Sequence, residues 1–416
     1  MGEQVDARTA AERLGVDVRT LYAYVSRGAL RRVPGPDGRS SRYDSDELEL
    51  LARRSRPRTL PRPAASIDLV IATRVSTVTD GVVRYRGRDL LALVAAGERF
   101  EAVAELLWAG PPASEPSWQL PAVQASSLGL VLGTLGGGPV AMRFATAVAA
   151  VAASGADVGA DDGAGRPPDW PAWGRFLIAT LVEASGQARR DADGPVARRL
   201  WQRWSPLSPT VARVRALDTA LVLLAEHELA ASTLAVRVAA SARAAPPGCV
   251  LAGLGALSGT LHGDAPRIVR ERLLRPRAGD SADGGEARAD PRLPAGVGFG
   301  HPVHRHGDPR TGPLLRVVHA IATPADRDLI ERAMRGAPAP PNVDFALGAL
   351  SHVARMPSEA ATAIFAVART AGWIAHAAEE YAEPYVRFRG RAVTRYDGSR
   401  DRADPVSPPG KRSGPR

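Results

Sequence analysis

The chain has 416 residues, 45% of them apolar and 24% charged, with a formal net charge of +10. These proportions exclude a wholly disordered chain and leave apolar material for a sizeable core, over roughly three domains at about 150 residues each. Lys411, in a Pro/Gly/Ser-rich tail, is the single lysine and Cys249 the single cysteine, which excludes an ordered Schiff-base or P-loop lysine, an intramolecular disulfide, a cysteine-based zinc site and an iron–sulfur cluster. The start, Met1 to Ala10, is polar and lacks the apolar core of a signal peptide. A cytoplasmic setting is the expectation.

Residues 1–54 read as a small separate domain. Thr9 to Leu14 predicts a short helix and Gly15 a turn. Asp17 caps a second helix in which Val18, Leu21, Tyr22 and Val25 share one face, ended by Gly28. After the turn cluster Pro34–Gly38 come Arg39, Arg42 and Tyr43, a short basic wing, and Asp44 with Glu47 predicts a capping box for a third helix through Leu51. This order resembles the small winged helix–turn–helix domains of MerR-like and excisionase-like proteins. The resemblance implies DNA contact through Arg19, Thr20 and Arg27, because arginines bind phosphates or guanine edges. The same segment also reads as a docking or dimerisation module without DNA contact.

A stiff basic linker follows over 55–65, rich in proline and arginine. Beyond it the pattern is all-α. Leu90 to Trp108 and Val211 to Leu224 carry apolar residues at helical spacing, and strand-like alternation is limited to about Val70 to Tyr85. From Leu128 to Ala156 the sole charge is Arg143, but Gly136, Gly137, Gly138 and Pro139 break the run. Neither half reaches the about 20 residues a bilayer needs, so the stretch predicts buried, alanine-rich core helix and no membrane span. Gly155 to Asp169 and Pro276 to Pro294 read as surface loops, and 399–416 as a disordered tail.

All eight histidines fall between His227 and His376. Three lie in unusual local contexts: Glu226-His227-Glu228-Leu229-Ala230-Ala231-Ser232-Thr233 at the end of an apolar helix, Gly259-Thr260-Leu261-His262-Gly263-Asp264-Ala265, and Gly298-Phe299-Gly300-His301-Pro302-Val303 running on to Asp308-Pro309-Arg310. Glycines beside a histidine let backbone approach a ligand closely. A fourth segment, Pro341-Asn342-Val343-Asp344-Phe345, places a carboxylate after a proline-rich break. Taken singly, these read equally as a turn histidine, a loop histidine and an N-cap aspartate.

Together, in this order and spacing, the four segments resemble the citrate synthase family. The likeness runs from about Ser66 to Tyr396, from Tyr85-Arg86-Gly87-Arg88-Asp89 to Ala371-Gly372-Trp373-Ile374-Ala375-His376. It implies an all-α fold, with a large domain from 66–263 and 356–398 and a small CoA-side domain over 264–355 that closes on the substrates. It implies condensation of acetyl-CoA with oxaloacetate to citrate and free CoA, the coenzyme A thioester being a substrate, with no metal and no redox cofactor. His262 matches the histidine that hydrogen-bonds the thioester oxygen, Asp344 the base that takes a methyl proton, and His301 the histidine that polarises the keto group. His227, Arg310 and Arg369 match the groups that hold the keto-acid carboxylates. Arg389 matches an arginine contributed across a homodimer interface, with Arg391 competing for that role. Gly298 and Gly300 lie in what resembles the adenine-contacting loop. Arg305 stands where some members bind a phosphate, and reads equally as a solvated charge.

The chemistry agrees with those roles. A thioester methyl is a poor carbon acid, an aspartate of ordinary pKa is a weak base, and burial raises it. A donor on the developing enolate oxygen adds to general-base catalysis. Arginine forks bind carboxylates bidentately. His304, His306, His319, His352 and His376 read as structural or surface residues, and Trp373 and Cys249 as core. Departures from the family pattern include Ala230 in place of a common asparagine and Pro266-Arg267 where Asn and Glu are frequent. These leave open a 2-methylcitrate synthase or related acyl-CoA/keto-acid synthase, and a DNA-binding regulator that uses a synthase-like domain as a metabolite sensor.

Overall fold

The structure, a computed structural model, describes residues 4–14, 17–26, 30–35, 40–45, 48, 71–79, 81–109, 117–135, 138–155, 158, 167–186, 194–260, 262–273, 297–301, 303, 304, 307–335, 337, 339–384, 386 and 388. Linker 55–65, loop Pro276 to Pro294, most of Gly155 to Asp169 and the tail 399–416 lie outside them. The chain forms two compact units, Met1–Ala72 and Thr73–Arg416.

The first unit holds β1 (Gln4–Asp6), α1 (Ala7–Leu14), α2 (Val18–Ser26), β2 (Val33–Pro34) and β3 (Ser41–Asp44). The strands make an antiparallel sheet in the order β1-β3-β2, with Val5 opposite Tyr43 and Val33 opposite Arg42. Both helices start where a short acidic side chain captures an otherwise unpaired backbone donor. Asp6 accepts from the Thr9 N–H at 2.8 Å and Asp17 from the Thr20 N–H at 2.7 Å. Ala10, Ala11, Leu14, Leu21, Leu30, Tyr43 and Leu48 form this unit's own core. Of the residues read as a wing, Arg42 and Tyr43 lie in the strand β3 and Arg39 lies outside the described residues. Arg27, Gly28 and most of the expected third helix lie outside the described residues.

The second unit opens with a hairpin, β4 (Ser76–Thr79) and β5 (Val82–Tyr85), extended by β6 (Arg88–Asp89). The helical spacing over Leu90 to Trp108 is realised as two helices, α3 (Leu90–Ala95) and α4 (Phe100–Leu107). Gly97, at φ +72°, stops the first. The Gly97 N–H reaches Val94 O and the Glu98 N–H reaches Leu93 O, each at 3.1 Å, the double closure that a left-handed glycine allows at a helix end.

The glycine-broken apolar stretch likewise forms two helices, α5 (Ala122–Gly133) and α6 (Val140–Ala153). α6 buries Phe144, Ala147, Val148 and Val151, as expected. α5 departs from the expected core role: of its own residues Leu128 is buried, whereas Val123 and Leu130 are 74% and 77% exposed. Among the described residues no helix is long and apolar enough to cross a membrane.

The remaining helices are α7 (Trp170–Glu183), α8 (Val196–Trp204), α9 (Val211–Leu224), α10 (Ala231–Ser241), α11 (Pro246–Leu257), the short α12 (Ala265–Ile268) running into a π turn (Val269–Leu273), α13 (Thr311–Ile321), α14 (Pro324–Met334), α15 (Val343–Val353) and α16 (Glu359–Tyr381). α9 matches its predicted span. α16 is the central post, packed by α7, α9, α10 and α11 and buried almost without interruption from Ala360 to Ala377. Its alanines and Gly372 permit that closeness: a Cβ on Gly372 would sit 2.6 Å from Ala225 O. Trp373 and Cys249 are core, as expected.

Candidate active site

The connection between α9 and α10 carries His227 and is fixed on several sides. Tyr85, buried, donates its hydroxyl to Glu226 O at 2.8 Å and accepts from the Glu226 N–H at 3.2 Å. Ser76 donates to Glu226 Oε1 at 3.1 Å, His376 Nε2 lies 3.0 Å from the same oxygen, and the Val78 N–H reaches Glu228 Oε1 at 3.1 Å. Glu228 takes φ +49°, a conformation unfavourable for a side chain with a Cβ. The surrounding bonds hold it there. Behind this turn Arg237 ties His376 to Glu379 and Glu380.

His262 follows the end of α11. Its Nε2 lies 2.7 Å from Ser232 Oγ, in the first turn of α10, and its ring meets Phe365 edge-on at 5.9 Å. Burial, reinforced by the Arg369 cation, brings its pKa down to about 4, so the ring is neutral near pH 7. A Cβ on Gly263 would meet Leu257 Cγ at 2.4 Å and Leu257 O at 2.5 Å, so this glycine serves the tight turn against its own helix.

The Gly298–Gly300 segment is stitched to the approach of α15. The Gly300 N–H reaches Pro340 O at 2.8 Å, the Asn342 N–H reaches Gly298 O at 3.0 Å, and Asn342 Nδ2 donates to Gly300 O at 2.9 Å. Asn342 Oδ1 in turn caps α15, accepting from the N–H groups of Asp344 and Phe345 at 3.0 and 3.2 Å. The polar groups of the two glycines are thus largely spent on placing Asp344. Burial raises the Asp344 carboxyl to about 6, against the opposing pull of Arg310 and Arg369.

His301 opens the next segment. Its Nδ1 accepts from the N–H groups of Val303 and His304 at 3.1 and 3.3 Å, which favours the tautomer with the proton on Nε2, and Arg310 Nη2 lies 3.4 Å from that second nitrogen. Arg310 is held by Asp308 through two contacts, Nε to Oδ1 at 2.9 Å and Nη2 to Oδ2 at 2.8 Å. Asp308 also accepts the Val343 N–H at 3.0 Å, which ties this loop to α15. Burial opposes its ionisation, but Arg310 wins and brings its pKa to about 2. Arg369, on α16, donates Nε to Leu224 O at 2.9 Å and stacks on Phe365 at 4.8 Å. Both guanidiniums are 2% exposed.

These groups converge. The Arg369 charge acts on His227, His262 and Asp344, and the Arg310 charge on His227, His301 and Asp344. Burial first, then the two cations, holds His227 well below the ordinary imidazole range, and burial with Arg310 brings His301 to about 4. A buried pair of guanidiniums ringed by neutral imidazoles, with one base-strength carboxylate at its edge, can hold a small dianion and remove a proton from a carbon acid beside it. Arg305 and Arg389 lie outside the described residues.

Ser232 and His304 join the site through space. Ser232 stands in the segment Glu226–Thr233 and reaches His262. His304, expected to be structural or surface, is buried with its Nε2 2.8 Å from His227 Nε2. Its distance of 77 residues from His227 gives no local sequence signal. Among the described residues His227, His301 and His304 are the histidine grouping with nitrogens close enough, within 4.8 Å, to share a metal ion. The hydrogen bonds weigh against that use. His301 Nδ1 faces two backbone donors, so ligation through Nε2 would drive its proton against them, and the nearby Arg310 and Arg369 oppose a cation.

The family model for the citrate synthase C-terminal domain matches residues 68–390. The chain is 32% identical over 198 residues to a citrate synthase of Mycolicibacterium smegmatis, covering 46% of this chain and 52% of that one. It is 31% identical over 199 residues to 2-methylcitrate synthase 2 of Corynebacterium glutamicum, covering 46% and 51%. The matches thus span about half the length of these curated relatives. In fold it is similar to Thermoplasma acidophilum citrate synthase, solved as a ternary complex with carboxymethyl coenzyme A and oxaloacetate, with TM-score 0.60 at 22% identity over 83% of this chain and 96% of that one. The Thermotoga maritima citrate synthase gives TM-score 0.57 at 22% identity over 80% and 97%. A fold built on a central buried helix, and a family match over most of the second unit, place this chain in the citrate synthase family.

Proposed function

We propose that the protein condenses acetyl-CoA with oxaloacetate and hydrolyses the resulting citryl-CoA to citrate and CoA. One observation carries the reading: a carboxylate at base strength, Asp344, and a neutral histidine, His262, share the field of the same buried arginine. Asp344 takes a proton from the thioester methyl. Ser232 donates to His262 Nε2, which leaves the His262 Nδ1–H to hydrogen-bond the developing enolate oxygen. The carbon nucleophile attacks the keto carbon, polarised by the His301 Nε2–H. Arg310, Arg369 and His227 bind the keto-acid carboxylates, with Arg389 supplied across a homodimer interface. Gly298 and Gly300 shape the CoA side, joined by Arg305. Closure of a small domain, 264–355, on a large one, 66–263 with 356–398, excludes water.

The homodimer has its own support in α5, an uncharged helix whose Val123 and Leu130 face solvent, and in Met142 of α6, which is 48% exposed. The sole cysteine, buried with its thiol pushed up to about 12, suits a cytoplasmic setting. Release of thiol from a panel of acyl-CoAs and keto acids tests the reaction. Release with acetyl-CoA only when oxaloacetate is present supports it; a preference for propionyl-CoA favours the 2-methylcitrate reading, which the Corynebacterium relative supports. Asp344→Ala should abolish release while oxaloacetate still binds.

The first unit supports a second role. Arg19 is exposed on α2, Thr20 partly so, and Arg42 lies on β3, which suits a winged helix–turn–helix that touches DNA. The full chain should bind duplex DNA with a steep salt dependence that Arg19→Ala weakens. No binding at low salt would leave a docking module.

A further inference from the structure

The reaction above leaves one buried group of the site unused. His304 is 4% exposed, its Nε2 lies 2.8 Å from His227 Nε2, and its Nδ1 is buried without a hydrogen-bond partner among the described residues. Two imidazole nitrogens at that separation bond only if one carries the proton and the other offers its lone pair. The direction of this bond fixes which face His227 turns to its ligand. If His304 gives the proton, His227 Nε2 is the acceptor and its own proton sits on Nδ1. If His227 gives it, His227 Nδ1 is a bare lone pair.

The neighbours decide between these. Arg310 and Arg369 act on His227 and make its surroundings a site for an anion. A lone pair pointed at a carboxylate repels it, whereas an N–H attracts it. His301, whose ring centroid is 5.0 Å from that of His227 and 4.8 Å from that of His304, already has its tautomer set by two backbone donors. We propose that His304 is a positioning residue that does the same for His227: it donates Nε2–H to His227 Nε2 and so presents the His227 Nδ1–H to the keto acid. The inference rests on the keto-acid reading of this cavity. It makes the second imidazole of the site a fixed donor, as the backbone makes the first.

The test is the nitrogen NMR spectrum of full-length protein labelled with 15N-histidine, with the His227 signals identified by their loss in His227→Gln. In the wild type His227 should show a proton-bearing Nδ1 and a lone-pair Nε2. His304→Phe, which keeps a flat ring but no donor, should redistribute that tautomer and raise the oxaloacetate KM about tenfold, with a smaller change in kcat. His304→Gln, whose amide can donate in the same direction, should restore both. A protonated Nε2 on wild-type His227 overturns the proposal, and so does an unchanged tautomer in His304→Phe. Stoichiometric Zn²⁺ binding lost in His304→Phe overturns it in favour of a metal centre. If His304→Phe does not fold, the wild-type spectrum and His304→Gln still decide. Failure of oxaloacetate to bind the wild type would remove the keto-acid reading and leave the spectrum to judge the tautomer by itself.

Discussion

Two aspartates on either side of the start of α15 show how one fold gives the same side chain opposite properties. Asp308 is gripped by Arg310 and by the Val343 N–H, and its pKa falls to about 2. Asp344, one residue beyond Val343, has no hydrogen bond to its carboxylate among the described residues, and burial lifts it to about 6. Both are desolvated; the difference is the partner. The paired carboxylate is a structural anion that aims a guanidinium, and the unpaired one is a base of useful strength. Groups whose surroundings push their pKa values apart are the ones to which acid–base and structural roles can be given.

Removing the base breaks the comparison most sharply. Asp344→Asn should lower turnover by at least about 10²–10⁴-fold, with oxaloacetate binding kept, as read by thiol release and calorimetry. The same change should raise Tm at pH 7. A carboxyl whose folded pKa lies above its unfolded value costs stability at high pH, here on the order of 3 kcal/mol, and that cost vanishes below about pH 4. A loss of stability in Asp344→Asn would contradict the assignment.

Asp308→Asn should act in the other direction. It strands a buried guanidinium, which costs about 3–5 kcal/mol, and should raise the keto-acid KM as Arg310 loses its aim. The acid limbs should also differ. Turnover should fall as pH drops through about 6, where Asp344 takes its proton. The stabilisation given by Asp308 is present above its unfolded pKa near 3.8 and is lost only as pH falls toward about 2. A pH–rate profile and a pH–Tm series separate the two.

Smaller effects sharpen the picture around the neutral imidazole and its helix. Ser232→Ala should cost about tenfold in kcat by freeing the His262 tautomer. Ala230 starts α10 in an extended conformation with no side-chain cap. Ala230→Asn should therefore stabilise by about 1 kcal/mol, visible as a rise in Tm without a change in turnover.

Family membership and the helical class were legible in the sequence, because the motifs that carry them are local runs whose spacing is set by one turn or one helix end. Asp344 follows an Asn cap two residues away, and Arg310 follows Asp308 by two, so chain geometry alone keeps them together. The division of Leu90 to Trp108 at Gly97 was also written locally, in a glycine that must be left-handed. What the sequence by itself could not determine depends on contacts between distant segments. Ser232 meets His262 across 30 residues and His304 meets His227 across 77. Whether a histidine is neutral, which nitrogen bears its proton, and whether an aspartate is a brace or a base are set by burial and by what packs nearby. Tertiary structure decides those, because desolvation and charge act through space and take no account of order along the chain.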